Sequence, residues 1–272
     1  MKRIGIYLMV MAAAVSCEYK LDMPDVPETG QEGVFELSAA MPSSDFIWDE
    51  ASSIGVYGTM EGDNVRYTLY NDFAGKKGVA RFYGREVSGD CFAYYPYRPE
   101  GVPAVAAGRI PCFAVQQFRP TPTEHLAANS VFVAGAVEGK FEFLNTCGLV
   151  GLQLDPAVFG TIRKLVLNSA VDWLSGNFSM DGDSEEMVTD GGRAVEVVGL
   201  GTQAGPFTVY FVLHEGEYDG LKLEIHTDVQ VVTADVTGKV TVTAGEETMA
   251  AVMVEDMGGT GSDFEIIPGE FD

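Results

Sequence analysis

The chain has 272 residues, with 17 Lys and Arg against 40 Asp and Glu, for a formal net charge of −23. A surface this acidic repels nucleic acid and anionic lipid headgroups, which removes both from the partners to consider. A chain of this length can hold two sandwich domains of roughly a hundred residues each.

The first seventeen residues have the layout of a secretory leader. Lys2 and Arg3 precede an almost wholly apolar run from Ile4 to Val15, and Ala14-Val15-Ser16 puts small residues before Cys17. The run is too short to span a bilayer. A cysteine in that place is the acceptor expected of a bacterial lipoprotein: its thiol is diacylated, residues 1–16 are removed, and the new amino terminus is acylated. Several acyl chains, at about 0.8 kcal/mol per buried methylene, make such an anchor effectively permanent. Ala14 stands where lipoprotein signals usually carry leucine. Residues 17–33 follow with Pro24, Pro27, Gly30 and Gly33 among acidic residues, the composition of a flexible tether.

From residue 34 the period changes to two. Phe35, Leu37 and Ala39 alternate with Glu36 and Ser38, as in a half-buried strand. Further strands are predicted at 53–58, 65–70, 79–83, 91–97, 131–137 and 141–155, the last broken by Asn145 and Gly148. Pro156 and Gly160 mark the expected seam, giving one domain over 34–157 and a second over 158–257. In the second, strands are predicted at 162–168, 195–199, 207–213, 221–226, 229–236, 240–243 and 249–254, many rich in Val and Thr. No window carries a helical stripe longer than about two turns, so the fold class is all-β, of sandwich type. The tail, 258–272, opens on Gly258-Gly259-Thr260-Gly261 and returns to apolar residues at Phe264, Ile266 and Ile267. It reads as a strand to be donated, or else as an edge strand of its own domain or a disordered end.

Signatures of chemistry are sparse. The three histidines, at 125, 214 and 226, form no metal-binding pair, and no G-x-S-x-G elbow offers a nucleophile. Gly199-Leu200-Gly201-Thr202-Gln203-Ala204 fits the dinucleotide pattern formally, but the next segment reads as a strand where that motif needs a helix, so a hairpin connection is expected. The carboxylates of 181–186 lack the spacing of a calcium loop and read as a solvated turn. Cys91, Cys112 and Cys147 allow one disulfide and a free thiol, with Cys91–Cys112 the more local pairing, or serve as buried small hydrophobes. A non-enzymatic protein without cofactors is expected.

The leader, Ile54-Gly55-Val56-Tyr57 after Trp48, the Ala93-Tyr94-Tyr95-Pro96-Tyr97 run and Leu174-Ser175-Gly176 together resemble the fimbrillin-like family, subunits of type V pili in Bacteroidota. The resemblance runs from about Val34 to Val254. It implies two transthyretin-like β-sandwich domains in tandem, export as a lipoprotein held at the outer membrane through Cys17, and assembly with other pilus subunits at the cell surface, with adhesion to a host or bacterial receptor. It further implies that proteolysis releases an amino-terminal strand, opening a groove that a neighbour's strand fills. Val34, Phe35, Leu37 and Ala39 are then the strand to be released, and Phe264, Ile266 and Ile267 the strand to be lent. The sequence departs from that pattern in one respect, since no Lys or Arg lies between Lys20 and Arg66 for an arginine-specific protease. A surface lipoprotein that binds glycan or another ligand without polymerising is the alternative.

Overall fold

The computed structural model describes residues 35–41, 46–58, 62–137, 140–179, 190–254 and 264–266. The leader with Cys17, the tether, Val34, the 181–186 turn, the glycine hinge at 258–261 and Ile267 lie outside these residues. No helix among the described residues is long and apolar enough to cross a membrane.

The alternating stretches near the start become β1 (Phe35–Ala40), β2 (Ser53–Gly58), β3 (Val65–Leu69), β4 (Ala80–Gly84) and β5 (Cys91–Tyr95). The chain then leaves this group through α1 (Pro103–Ala106), β6 (Arg109–Cys112), β7 (Val115–Gln117) and α2 (Pro122–Asn129), and returns with β8 (Phe132–Val137) and β9 (Lys140–Glu142). The sequence shows α2 at its start, where Thr121 caps the Glu124 N–H, Glu124 lies three residues on and Pro122 occupies the first turn. Seven strands close a barrel in the order β1-β4-β3-β2-β5-β8-β9. The expectation of stacked sheets is revised here: β1 pairs antiparallel with β4 and parallel with β9, joining the two ends of the order into a ring.

The barrel core gathers Leu37, Ala39, Met41, Ile54, Val56, Tyr67, Phe82 and Phe141 around Trp48, which is fully buried. The Trp48 indole N–H donates to the Gly78 carbonyl at 2.8 Å, and its ring meets Phe46, Phe82 and Tyr95 edge-on at 4.9–5.5 Å. Gly55 is required where β2 passes Tyr94, because a Cβ there would stand 2.1 Å from that ring. The space lets Tyr94 lie flat across the strand and donate to Asn64 Oδ1 at 2.9 Å.

The second group begins at β10 (Cys147–Leu154) and continues through α3 (Pro156–Phe159), β11 (Ile162–Ser169), β12 (Gly176–Ser179), β13 (Ala194–Val198), β14 (Phe207–His214), β15 (Gly216–Tyr218), β16 (Leu221–Thr227), β17 (Val231–Val236), β18 (Val240–Val242), β19 (Glu247–Met249), β20 (Val252–Val254) and β21 (Phe264–Ile266). A seven-stranded sheet, β21-β20-β17-β16-β11-β13-β7, faces a three-stranded one, β14-β10-β19. One core cluster joins them: Val150, Leu152, Phe211 and Leu213 from the smaller sheet pack with Leu165, Leu167, Val197, Leu223 and Ile225 from the larger. The expected seam at 155–160 contains α3, a single turn capped by Asp155, and β10 ahead of it pairs along its whole length with β14. The 199–206 loop, expected as a hairpin, instead carries the chain from β13 in one sheet to β14 in the other.

The two groups are not strung end to end. β6 pairs with β12 and β7 with β13, so a segment between two barrel strands is built into the second group. A third core cluster forms at the junction, where Tyr57, Tyr94 and Val133 of the barrel meet Ile110 and Cys112 of β6 and Leu149, Phe178, Tyr210 and Val212 beyond.

Candidate strand-exchange site

β1 is the first described strand, and its side chains divide as the alternation predicts. Leu37 is 6% exposed and Ala39 1%, both facing the barrel core, while Glu36 and Ser38 are half-buried on the outer side. Leu37 stands opposite Phe82 and Ala39 opposite Ala80 on one flank, and Ser38, Ala39 and Ala40 stand opposite Lys140, Phe141 and Glu142 on the other. Phe143 N–H extends the second ladder to the Ala40 carbonyl at 2.9 Å. Phe35 lies at the end of the register, opposite Gly84.

Polar contacts outside the barrel hold the strand to β4. The Glu36 carboxylate accepts from Arg81 at 2.8 Å and from the Tyr70 hydroxyl at 2.9 Å. Burial and that hydrogen bond to Glu36 push the Tyr70 hydroxyl up to about 12. The Arg81–Glu36 pair is part-exposed and contributes at most about 1 kcal/mol. Most of what retains β1 is therefore the ladder on both flanks and the apolar seating of Leu37, Ala39 and Met41. Without β1, the backbone edges of β4 and β9 would face each other across a slot one strand wide. Because one flank is antiparallel and the other parallel, a replacement strand running either way would find one antiparallel edge.

The tail segment is placed elsewhere. Ile266, Glu265 and Phe264 of β21 stand opposite Val252, Met253 and Val254 of β20, making β21 the edge strand of the seven-stranded sheet. The two elements named from the sequence thus belong to different sheets, and each is paired within its own chain.

One edge has a guard that periodicity does not reveal. β14 borders the three-stranded sheet, and the Gln116 side chain covers it: its Nε2 donates to the Val212 carbonyl at 2.8 Å and its Oε1 accepts from the Val212 N–H at 2.9 Å. The amide thus makes the two bonds an added strand would make. Behind it sits His125 of α2, fully buried, accepting from the Arg119 N–H at its Nδ1 (3.2 Å) and 3.4 Å from Gln116 Oε1 at its Nε2. Burial first, and nearby Arg119 second, lower this imidazole to about 4. The capping box before α2 was a legible signal for this region; the role of Gln116 carried none.

The aromatic run falls where a strand-end packing role would put it. Tyr94 is fully buried, Tyr95 packs on Phe46 and Trp48, and Tyr97 lies under Arg66, 5.6 Å from the guanidinium carbon to the ring centre. Among the described residues no group of three or more His, Cys, Asp or Glu could hold a metal.

No family model and no curated protein matches the sequence. Among solved structures, a candidate cell adhesion protein from Bacteroides ovatus is 14% identical, with a TM-score of 0.47, covering 81% of this chain and 95% of its own. The tip fimbrial protein Mfa3 from Porphyromonas gingivalis, solved with a C-terminal truncation, is 12% identical, with a TM-score of 0.32, covering 77% of this chain and 83% of its own.

Proposed function

We propose that the chain is a structural subunit, or an anchor or tip component, of a cell-surface pilus, joining its neighbours by strand exchange and serving adhesion, with a lipid on Cys17 holding it to the outer membrane. The observation that carries this reading is the position of β1: an amino-terminal strand that completes a barrel between two edges, with its apolar face seated in the core. Release of such a strand uncovers backbone groups that must be paired again, which gives generic affinity for an added strand. Alternate side chains entering the emptied seats set its register. No catalysis is involved.

The test places a specific endoprotease site at residues 42–45, between β1 and β2. After cleavage, the protein should lose β1, take up a synthetic peptide covering residues 262–272 from a second copy, and form ladders that resist SDS. Cleaved protein that keeps β1, remains monomeric and excludes the peptide refutes the reading.

A second reading, a surface protein that binds glycan without polymerising, is favoured by one feature. Trp173 is 42% exposed beside a hollow of about 260 Å³ lined also by Asp172, Phe178, His214 and Glu217. An exposed indole beside carboxylates can stack on a sugar ring and accept from its hydroxyls. A Trp173→Ala variant that loses binding on a glycan array would favour it, and identical array profiles would remove it.

A further inference from the structure

Cys112 on β6 and Cys147 on β10 belong to different sheets, yet both are buried in the junction cluster. Their contacts converge on the same part of β14. Cys112 Sγ lies 3.6 Å from the Val212 carbonyl oxygen. Cys147 stands directly opposite His214 in the β10–β14 ladder, with Leu149 opposite Val212. Both side chains sit with Val212 in this one cluster, close enough for the Cys147 side chain to act on the Cys112 thiol. Cys91 is placed apart from them: it is half-buried against the barrel core, with its thiol directed to the Gly89 carbonyl at 3.5 Å. The Cys91–Cys112 pairing expected from sequence proximity is therefore not the one the fold prepares.

We propose that Cys112 and Cys147 are a disulfide pair, a covalent staple between β6 and β10 inside the junction cluster. The oxidant is a small-molecule or protein disulfide. One cysteine thiolate attacks it, forming a mixed disulfide and expelling one thiol; the second cysteine then displaces the other. Two cysteine thiols are oxidised, the external disulfide is reduced to two thiols, and both protons end on those products. The neighbouring Cys147 side chain first, and burial second, hold Cys112 well above the ordinary thiol range, so the exchange belongs to the folding chain or a transiently opened molecule. Once made, the bond is shielded from reductant. The leader read in the sequence would deliver the chain to a compartment where such oxidants act. The closed loop, roughly 35 residues, holds β7, α2, β8 and β9, so it contains strands of both groups.

The experiment uses the full chain, purified reduced and then incubated with oxidised glutathione in mild urea. Remaining thiols are alkylated in strong denaturant and the protein is digested with trypsin. Because Arg119 precedes Pro120, Cys112 falls in the fragment 110–140, Cys147 in 141–163 and Cys91 in 86–109. The expected result is 110–140 joined to 141–163, with Cys91 alkylated. The oxidised form should melt roughly 5–10 °C above the reduced one, and the difference should vanish in Cys147→Ala. Alkylation of both Cys112 and Cys147 after oxidation, or a link through Cys91, overturns the proposal. If Cys147→Ala does not fold, the fragment map of the unaltered chain decides alone.

Discussion

Leu37→Ala should loosen β1 while leaving the rest of the molecule folded. The side chain is 6% exposed and stands opposite the fully buried Phe82. Removing its outer carbons from a packed site costs about 2–4 kcal/mol, the transfer term plus that of the cavity left behind. Because β1 is held to β4 and β9 by its two ladders, the loss falls mainly on the undocking of this one strand. At about 1.4 kcal/mol per factor of ten, 3 kcal/mol raises the undocked population roughly a hundredfold. Hydrogen exchange read by mass spectrometry should show this as faster exchange in peptides spanning Ala80–Gly84 and Lys140–Glu142, while those over β11 and β16 keep their rates. Two results would refute the reasoning: unchanged exchange with a urea midpoint shift worth less than about 1 kcal/mol, or acceleration spread evenly over all strands, which would make β1 part of the global unfolding unit.

Gly55→Ala should destabilise the chain by about 1–3 kcal/mol or more, since its Cβ would meet the Tyr94 ring at 2.1 Å; pairing it with Tyr94→Leu should recover part of that loss in a thermal melt. Gln116→Leu should cost about 1–3 kcal/mol, because it strands the buried Val212 N–H and leaves the carbonyl only the Cys112 thiol, and light scattering should reveal association through the bared β14 edge. His125, lowered from 6.5 to about 4, sets an acid limit. With the folded value depressed, its contribution is fully present above pH 6.5, declines below it and is lost as pH falls through 4, by about 3 kcal/mol at most. Urea midpoints measured between pH 7 and 4 should follow that fall, and a His125→Gln variant should flatten it.

Strand positions were legible because many strands bury one face, and Phe35–Ala40, Val65–Leu69 and Leu221–Thr227 lie within a residue or two of the stretches their alternation picks out. Closure was not. The parallel pairing of Ser38–Ala40 with Lys140–Glu142 joins residues about a hundred positions apart, and nothing in either segment names its partner. β6 and β7 were missed because Arg109–Cys112 and Val115–Gln117 are short, one contains Pro111, and both take their partners from the second group. The 199–206 loop was misread because a glycine-rich turn looks alike whether it returns to its own sheet or crosses to another. Of the candidate site, Leu37 and Ala39 were readable from their period, whereas the ring that gives them meaning emerges only from tertiary pairing.

The path of residues 109–117 also bears on how this protein can be divided or inherited. A gene fragment ending after β9 would encode β6 and β7 with no strands to receive them, and one beginning at β10 would leave β12 and β13 short of a neighbour. The halves therefore cannot be shuffled between genes like beads, and a recombination point near residue 146 would yield two incomplete products from one sound parent.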